Sequence, residues 1–398
     1  MNQHNRILTA MSGGVDSSVT AVLLLEQGYS IAGATMKLYA PESGTSDRPC
    51  GTEDNIADAR RVCDALGIKF YQFDFTDLFH TEVIQRFADG YACGLTPNPC
   101  VDCNRHLKFG RLLEQARAEG FDAIATGHYA RIEYSDTFGR WVLKKGAAPS
   151  KDQSYVLYSM TQDELAHTLL PLGGYEKDDI RAIAEARGLV NARKKDSQDI
   201  CFIPDGDHGK FLCEHCGLSA VPGDFIDQTG KVIGQHRGVI YYTVGQRRGL
   251  GISADRRLYV IDKNAARNTV TVGYEEDLLC TEFCVRDVNW IAWEHVTEPV
   301  RCCVRTRYHG AETPATLTPD NDIVRVRLDA PQRAVSPGQA AVFYDGDIVL
   351  GGGTICEKKP DICQKSPGRN KMRPGDFSLY QPVFNPDSRF PSACDGQR

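Results

Sequence analysis

The segment Ser12-Gly13-Gly14-Val15-Asp16-Ser17-Ser18 limits what this chain can fold into more than any other. It follows an apolar run, Ile7 to Ala10, that reads as a strand, and it opens a helical stretch, Ser17 to Glu26. Small residues let a backbone approach an anion closely, and a helix N-terminus presents unpaired amides at the positive end of its dipole. The spacing is neither GxxxxGK[ST] nor GxGxxG. Read from its residues, the loop is a phosphate cradle with serine hydroxyls and one carboxylate that could help hold a metal. The bland reading is a plain strand-to-helix turn.

Strands and helices go on alternating to about Phe202. Ser30 to Leu38, Lys69 to Phe73 and Ala123 to Thr126 read as extended, and Ile56 to Leu66 and Leu107 to Glu119 as helical. Ile56, Ala59, Val62, Cys63 and Leu66 keep one helix face, and Gly67 stops it. That alternation predicts an α/β domain with a parallel sheet covered on both faces. Beyond Pro204 glycine and turn dipeptides become frequent, and from about Leu279 to Glu357 the texture is all-β, which a small barrel closes naturally. The expected divisions are 1–204 for the α/β domain with the candidate cysteines, 205–276 for a small central domain, 277–358 for a C-terminal β-barrel, and 359–398 for a flexible tail. The tail is dominated by Pro, Gly, Lys, Ser, Asp and Arg, with little to bury.

The 398 residues suffice for two or three domains. No stretch approaches the ~20 apolar residues needed to cross a bilayer, and the first residues lack a secretory pattern, so a cytoplasmic location with no membrane partner is expected. A net charge of -6 gives no global sign of a nucleic-acid partner, but binding depends on a local face. Basic clusters stand at Arg193, Lys194 and Lys195, at Arg247 and Arg248, and at Arg301, Arg305 and Arg307. Their meaning depends on whether they converge in space. Fifteen cysteines, an odd number in a long chain, argue against a secreted disulfide scaffold and for thiols, a few of them with chemistry to do.

Thr96-Pro97-Asn98-Pro99-Cys100-Val101-Asp102-Cys103-Asn104 is a rigid Pro-rich loop running into a helix with a cysteine near its start, where thiolate is favoured. Far downstream stands Lys195-Asp196-Ser197-Gln198-Asp199-Ile200-Cys201-Phe202. Spacing alone does not bring these cysteines together; two buried thiols is the bland alternative. Cys213-Glu214-His215-Cys216 lacks a second short-spaced ligand pair and reads as a pair without metal. Cys302 and Cys303 lie on an apparent strand and should face opposite sides.

The first loop resembles the SGGxDS loop of enzymes that split ATP between its α and β phosphates. Together with Ala125-Thr126-Gly127-His128-Tyr129-Ala130-Arg131, Lys151-Asp152-Gln153-Ser154-Tyr155, Tyr242-Thr243-Val244-Gly245-Gln246-Arg247-Arg248, Arg305-Thr306-Arg307-Tyr308 and Ser336-Pro337-Gly338-Gln339, the chain resembles the tRNA-specific 2-thiouridylase family in order from about Ile7 to Glu357. The resemblance implies an ATP-binding α/β domain, a small central domain and a β-barrel. It also implies ATP-dependent adenylation of the C2 oxygen of a wobble uridine, with Mg2+, followed by sulfur transfer from a cysteine persulfide charged by a donor or relay protein. By motif position Cys201 carries the persulfide and Cys103 is the second catalytic thiol, forming a disulfide with it. Ala10, Met11, Ser12, Gly13, Gly14, Val15, Asp16, Ser17, Met36 and Gly127 bind the nucleotide. Asn98, Pro99 and Cys100 meet the flipped base. His128, Lys151, Asp152, Gln153, Arg307, Tyr308 and Gln339 touch tRNA; DNA is not a partner.

One position departs from the family pattern. The familiar form of the loop has aspartate directly after Asn-Pro, with acid/base work assigned to it; here Cys100 stands there and the nearest aspartate is Asp102. Cys100, Cys103 and Cys201 also make three thiolate candidates for a [4Fe-4S] cluster or, with a fourth ligand, zinc. The persulfide–disulfide route is the preferred reading. A pyrophosphatase-loop ligase of a small metabolite would need neither tRNA nor Cys103 and Cys201, and a non-catalytic tRNA- or nucleotide-binding protein would not need the intact loop.

Overall fold

A computed structural model describes residues 5–38, 52–192, 194 and 200–356. The expected tail, Arg193 and the segment Lys195 to Asp199 lie outside the described residues.

Strands β1 (Arg6–Ala10), β2 (Ser30–Lys37), β3 (Phe70–Asp74) and β4 (Ala123–Ala125) form a parallel sheet with a later two-residue strand, Thr168–Leu169, in the order β3-β2-β1-β4 and then the short strand. Ile7, Leu8, Ala123, Ile124 and Ala125 are fully buried, as strands covered on both faces must be. The covering helices include α1 (Val15–Glu26) and α2 (Glu53–Leu66), the second ending at Gly67 as its sequence requires. The chain passes from β1 outward to β3 and then returns to the far side of β1. A crevice therefore opens between the carboxyl ends of β1 and β4, where ligands bind in open α/β sheets.

Two long helical stretches carry widened turns in their middles: Thr76–Phe79, His80–Gln85 and Arg86–Ala92, then Pro99–Asp102, Cys103–Arg111 and Leu112–Ala118. The second begins eight residues before the expected Leu107. Asn98 caps it, accepting from the Cys100 amide at 3.1 Å, and Pro99 fits the first helical position.

Next comes a hairpin, β5 (Ala130–Ser135) with β6 (Arg140–Lys145). If Thr168–Leu169 is β7, the central domain holds β8 (Gly223–Ile226), β9 (Val232–His236), β10 (Tyr259–Asn264) and β11 (Thr269–Gly273) in the order β10-β11-β8-β9. The last six strands, β12 (Leu279–Trp290), β13 (Val300–Arg305), β14 (Thr313–Asp320), β15 (Ile323–Arg333), β16 (Ala340–Asp345) and β17 (Ile348–Ile355), run in the order β12-β15-β14-β13-β16-β17. Pairing of β12 with β17 closes the ring into a barrel. Cys302 packs on the barrel core and Cys303 on the large cluster outside it, the opposite faces expected of neighbours in a strand. The hairpin β5–β6 of the first domain joins this same sheet through Ile348↔Lys144 and Val349↔Leu143.

Candidate active site

The glycine loop spans the carboxyl end of β1 and the start of α1. Gly14 caps the helix without a side-chain hydrogen bond, which leaves first-turn amides for a ligand. Gly13 has φ +74°, and a Cβ there would meet the Asn55 carbonyl oxygen at 2.4 Å, so both conformation and space require glycine. The loop is shaped by its own hydroxyls: the Ser12 amide donates to Ser17 Oγ at 3.2 Å, and Ser17 Oγ donates to the Gly14 carbonyl at 3.0 Å. Across the crevice Gly127 follows β4, and a Cβ there would stand 3.0 Å from the Asp16 carbonyl carbon and 3.1 Å from the Ser17 nitrogen. Loop and Gly127 thus meet, the two segments that the family resemblance assigns to the nucleotide. Ala10 and Met11 belong to the sheet end, with the Met11 amide on the Ala34 carbonyl at 2.8 Å, and Met36 lies on β2 beside Phe73.

Several residues that sequence reasoning did not assign hold this loop. Asp16 Oδ1 accepts from Tyr129 Oη at 2.8 Å and from Lys177 Nζ at 2.7 Å. Asn191 Nδ2 donates to the Gly13 carbonyl at 3.1 Å and to Ser18 Oγ at 2.9 Å, and Lys194 Nζ reaches the same carbonyl, Asn55 Oδ1 and Asp58 Oδ2. Lys177 did carry a signal: it opens the helix Lys177–Ala186, where a cation opposes the dipole and so needs a partner of its own. Asp16 places one carboxylate in the first turn of α1, a donor of the kind that holds Mg2+ together with phosphate oxygens.

Cys103 is buried within the large hydrophobic cluster, Cys201 packs against that cluster half-buried, and Cys100 is exposed. Behind Cys201, the Phe202 ring meets Phe79, Phe87 and Phe211. Beside Cys103, burial raises the Asp102 carboxyl to about 6, against the opposing effects of Arg86 and Arg105. Arg86 Nε stands 3.6 Å from Asp102 Oδ1. Among the described residues no three His, Cys, Asp or Glu side chains are grouped to hold a metal ion. Cys100, Cys103 and Cys201 are not among any such grouping. Cys213 lies 3.6 Å from the Tyr241 hydroxyl, and burial pushes the Cys216 thiol up to about 11.

The residues expected to touch tRNA divide into two kinds. Gln153 Oε1 accepts from the Tyr129 amide at 2.9 Å. Burial raises the Tyr308 hydroxyl to about 12, with the charges of Asp152 and Cys100 adding to it and Arg305 and Gln153 opposing. Hydrogen bonds thus run from Asp16 through Tyr129 to Gln153. Arg307 is exposed, and its Nη2 donates to the carbonyls of Arg333 and Ala334, both at 2.7 Å. Asp152, in contrast, is buried and spends its carboxylate on the amides of Gly146 and Ser154, the Ser154 hydroxyl and Arg305. His128 is buried against Phe109 and bonded to Thr126 Oγ1 at 2.7 Å, and burial holds its pKa well below the usual range. Gln339 gives its amide to the Thr96 carbonyl at 2.8 Å. Of the basic clusters, Arg301 is paired with Asp329, Arg305 lies inside, and Arg247 and Arg248 are exposed. No helix among the described residues is long and apolar enough to cross a membrane.

Comparison with known proteins covers nearly the whole described chain. The profile of the tRNA methyl transferase HUP domain matches residues 5–205, that of the tRNA methyl transferase PRC-barrel domain 209–274, and that of the aminomethyltransferase beta-barrel domain 280–355. The tRNA-specific 2-thiouridylase MnmA of Desulforamulus reducens is 49% identical over 354 residues, 88% of this chain and 96% of the relative. That of Clostridium acetobutylicum is 46% identical over 355 residues, 88% and 99% of the two chains. Among solved structures, the U34-tRNA thiolase NcsA from Methanococcus maripaludis with its [4Fe-4S] cluster aligns over 53% of this chain and 67% of that one. Its TM-score of 0.31 and 18% identity are too low to carry its cluster over.

Proposed function

Because the chain belongs to the tRNA-specific 2-thiouridylase family, we propose the route by which its residues perform that family's reaction. The protein is an ATP-using enzyme that transfers sulfur to a tRNA uridine and makes 2-thiouridine. The observation that carries the route is the glycine loop opening α1, met across the crevice by Gly127 and tied through Asp16 and Tyr129 to Gln153.

The uncapped amides of α1 and the loop from Ser12 to Ser17 hold the phosphates, with Gly127 opposite and Met36 toward the adenine. Asp16 would hold a Mg2+ ion together with the phosphate oxygens, and that ion would supply charge stabilisation for the leaving pyrophosphate. The C2 oxygen of the wobble uridine attacks the α phosphorus, and pyrophosphate leaves. The terminal sulfur of a Cys201 persulfide then attacks C2 and AMP leaves. The Cys103 thiolate attacks Cys201 Sγ, the sulfur–sulfur bond breaks toward the product, and a Cys103–Cys201 disulfide remains for a cellular thiol to reduce. A persulfide relay protein recharges Cys201. Asn98, Pro99 and Cys100 meet the turned-out base, and Lys151, Arg307 and Tyr308 meet the RNA around it. The reaction belongs to the cytoplasm, where ATP and tRNA are found.

The test is thiolation of a tRNA with an unmodified wobble uridine by anaerobically purified protein, with iron and acid-labile sulfide measured alongside. Cys103→Ala and Cys201→Ala are expected to abolish product, while Cys100→Ala retains it and wild type carries no iron. Loss of activity in Cys100→Ala together with loss of stoichiometric iron and sulfide would replace this route by a cluster-dependent one.

A further inference from the structure

Thr96 spends each of its polar atoms on another part of the chain. Its amide donates to the Pro337 carbonyl at 2.9 Å, its carbonyl accepts from Gln339 Nε2 at 2.8 Å, and its hydroxyl faces Lys263 Nζ at 3.5 Å. Lys263 Nζ also donates to the Leu95 carbonyl at 3.1 Å. Pro337 and Gln339 come from the barrel and Lys263 from β10 of the central domain, so two other domains grip the loop just before Asn98-Pro99-Cys100-Val101-Asp102-Cys103. The first domain contributes the Leu95 amide on the Gly90 carbonyl at 2.8 Å.

Lys263 is an expensive residue to keep there. Its ammonium is buried over the Tyr91 ring, 5.3 Å from the centroid, and burial lowers its pKa to about 8. Around it stand His208, itself held below its usual pKa by burial and by this lysine, and the carboxylate of its neighbour Asp262. No carboxylate lies within ion-pair distance of its nitrogen among the described ion pairs. A buried cation satisfied by carbonyl and hydroxyl oxygens costs stability that an apolar side chain would not. What the cation secures is the position of Leu95 and Thr96.

We propose that Lys263 is a positioning residue for sulfur transfer: from the central domain, opposite Gln339 and Pro337 of the barrel, it fixes the Leu95–Thr96 backbone and thereby the place of the segment from Asn98 to Cys103. The inference rests on the reading of Cys103 as a reacting thiol. It makes the position of that thiol depend on three domains at once, while the phosphate cradle depends on the first.

Two readouts on the full-length protein test it: amide hydrogen exchange of residues 95–103 and 10–18, and steady-state thiolation of the unmodified tRNA with ATP, a persulfide donor and a reducing thiol. Lys263→Met is expected to speed exchange across 95–103 at least tenfold while 10–18 stays as in wild type. It should lower kcat about tenfold with the KM for ATP within twofold, and Lys263→Arg should recover most of the loss. Thr96→Val, which removes one acceptor and keeps shape, should change both readouts the same way but less. Wild-type exchange in Lys263→Met overturns the proposal, and so does faster exchange with an unchanged kcat. Loss of protection in both segments with a matching rise in the KM for ATP also overturns it, since it marks general loosening. If wild type thiolates no tRNA, the functional reading fails, while exchange of 95–103 still decides whether Lys263 holds the loop.

Discussion

Arg305 of the barrel and Asp152 of the first domain meet inside the molecule, with Nη1 3.0 Å from Oδ2 and side-chain exposures of 13% and 3%. Arg305 Nη2 continues to Glu312 Oε1 at 2.7 Å, and Lys145 Nζ meets the same oxygen at 2.6 Å. Removing one member of a buried pair strands the other, typically at about 3–5 kcal/mol. Asp152→Ala should therefore lose stability of that order in denaturant unfolding, whereas its neighbour Lys151→Ala should change stability by less than about 1 kcal/mol and weaken tRNA binding. Normal stability in Asp152→Ala with weakened tRNA binding would make Asp152 an RNA contact rather than an internal tie.

Gly127→Ala places a methyl group about 3 Å from the Asp16–Ser17 backbone, against the first turn of α1. The loop has to shift, and small misplacements at a reacting centre are costly. The expected result is a KM for ATP raised about tenfold with tRNA affinity unchanged, measured by pyrophosphate release at varied ATP. An unchanged KM would separate Gly127 from the nucleotide.

Asp102 gives a pH dependence of definite sign. Its folded pKa of about 6 lies above the ordinary 3.8, so the folded state binds that proton more tightly than the unfolded state does. The stability this contributes is fully present below about 4 and is lost as pH rises through 6. Above pH 7 the buried carboxylate is a net cost of up to about 3 kcal/mol. Asp102→Asn should raise the melting temperature at pH 8, with the gain shrinking as pH falls through 6. A gain of equal size at pH 5 and pH 8, or none at pH 8, contradicts this assignment.

The Cys213-x-x-Cys216 pair should be chemically idle. Cys213 faces the Tyr241 hydroxyl, and the Cys216 thiol is pushed up by burial, with Asp89 and Cys213 adding to the effect. Changing both to serine is expected to keep thiolation within twofold and to leave bound zinc unchanged by elemental analysis. Loss of stoichiometric zinc would show a structural site.

The sequence was informative where local chemistry decides the outcome. The order β1, glycine loop, α1 is written in Ile7 to Glu26, and the end of α2 at Gly67 in one residue. The start at Pro99 was equally local, yet the cap at Asn98 was read as loop because the apolar period begins only later. What could not be read is which distant partner a strand or side chain finds. Alternation marks β5 and β6 as strands, but nothing in it says that β6 pairs with β17. In the site, Gly127 was legible only through the family resemblance; the structure adds that it and the loop lie at strand ends beside one crevice. Lys263 and Asn191 gave no sign, because an ordinary lysine or asparagine becomes a clamp only when folding brings a carbonyl to it.

The hairpin β5–β6 leaves the nucleotide domain immediately after Gly127 and His128 and enters the barrel sheet, with Arg131 reaching Asp347 at 2.8 Å. A cut in the chain near residue 204 is therefore not a cut in space. A fragment ending there would carry β6 with one side unpaired, an open invitation to aggregate, and the matching barrel fragment would lack its neighbour along Ile348 and Val349. Anyone exchanging the barrel of one relative for that of another would have to move residues 130–145 with it, so the unit of transplantation is discontinuous in sequence although it is single in three dimensions.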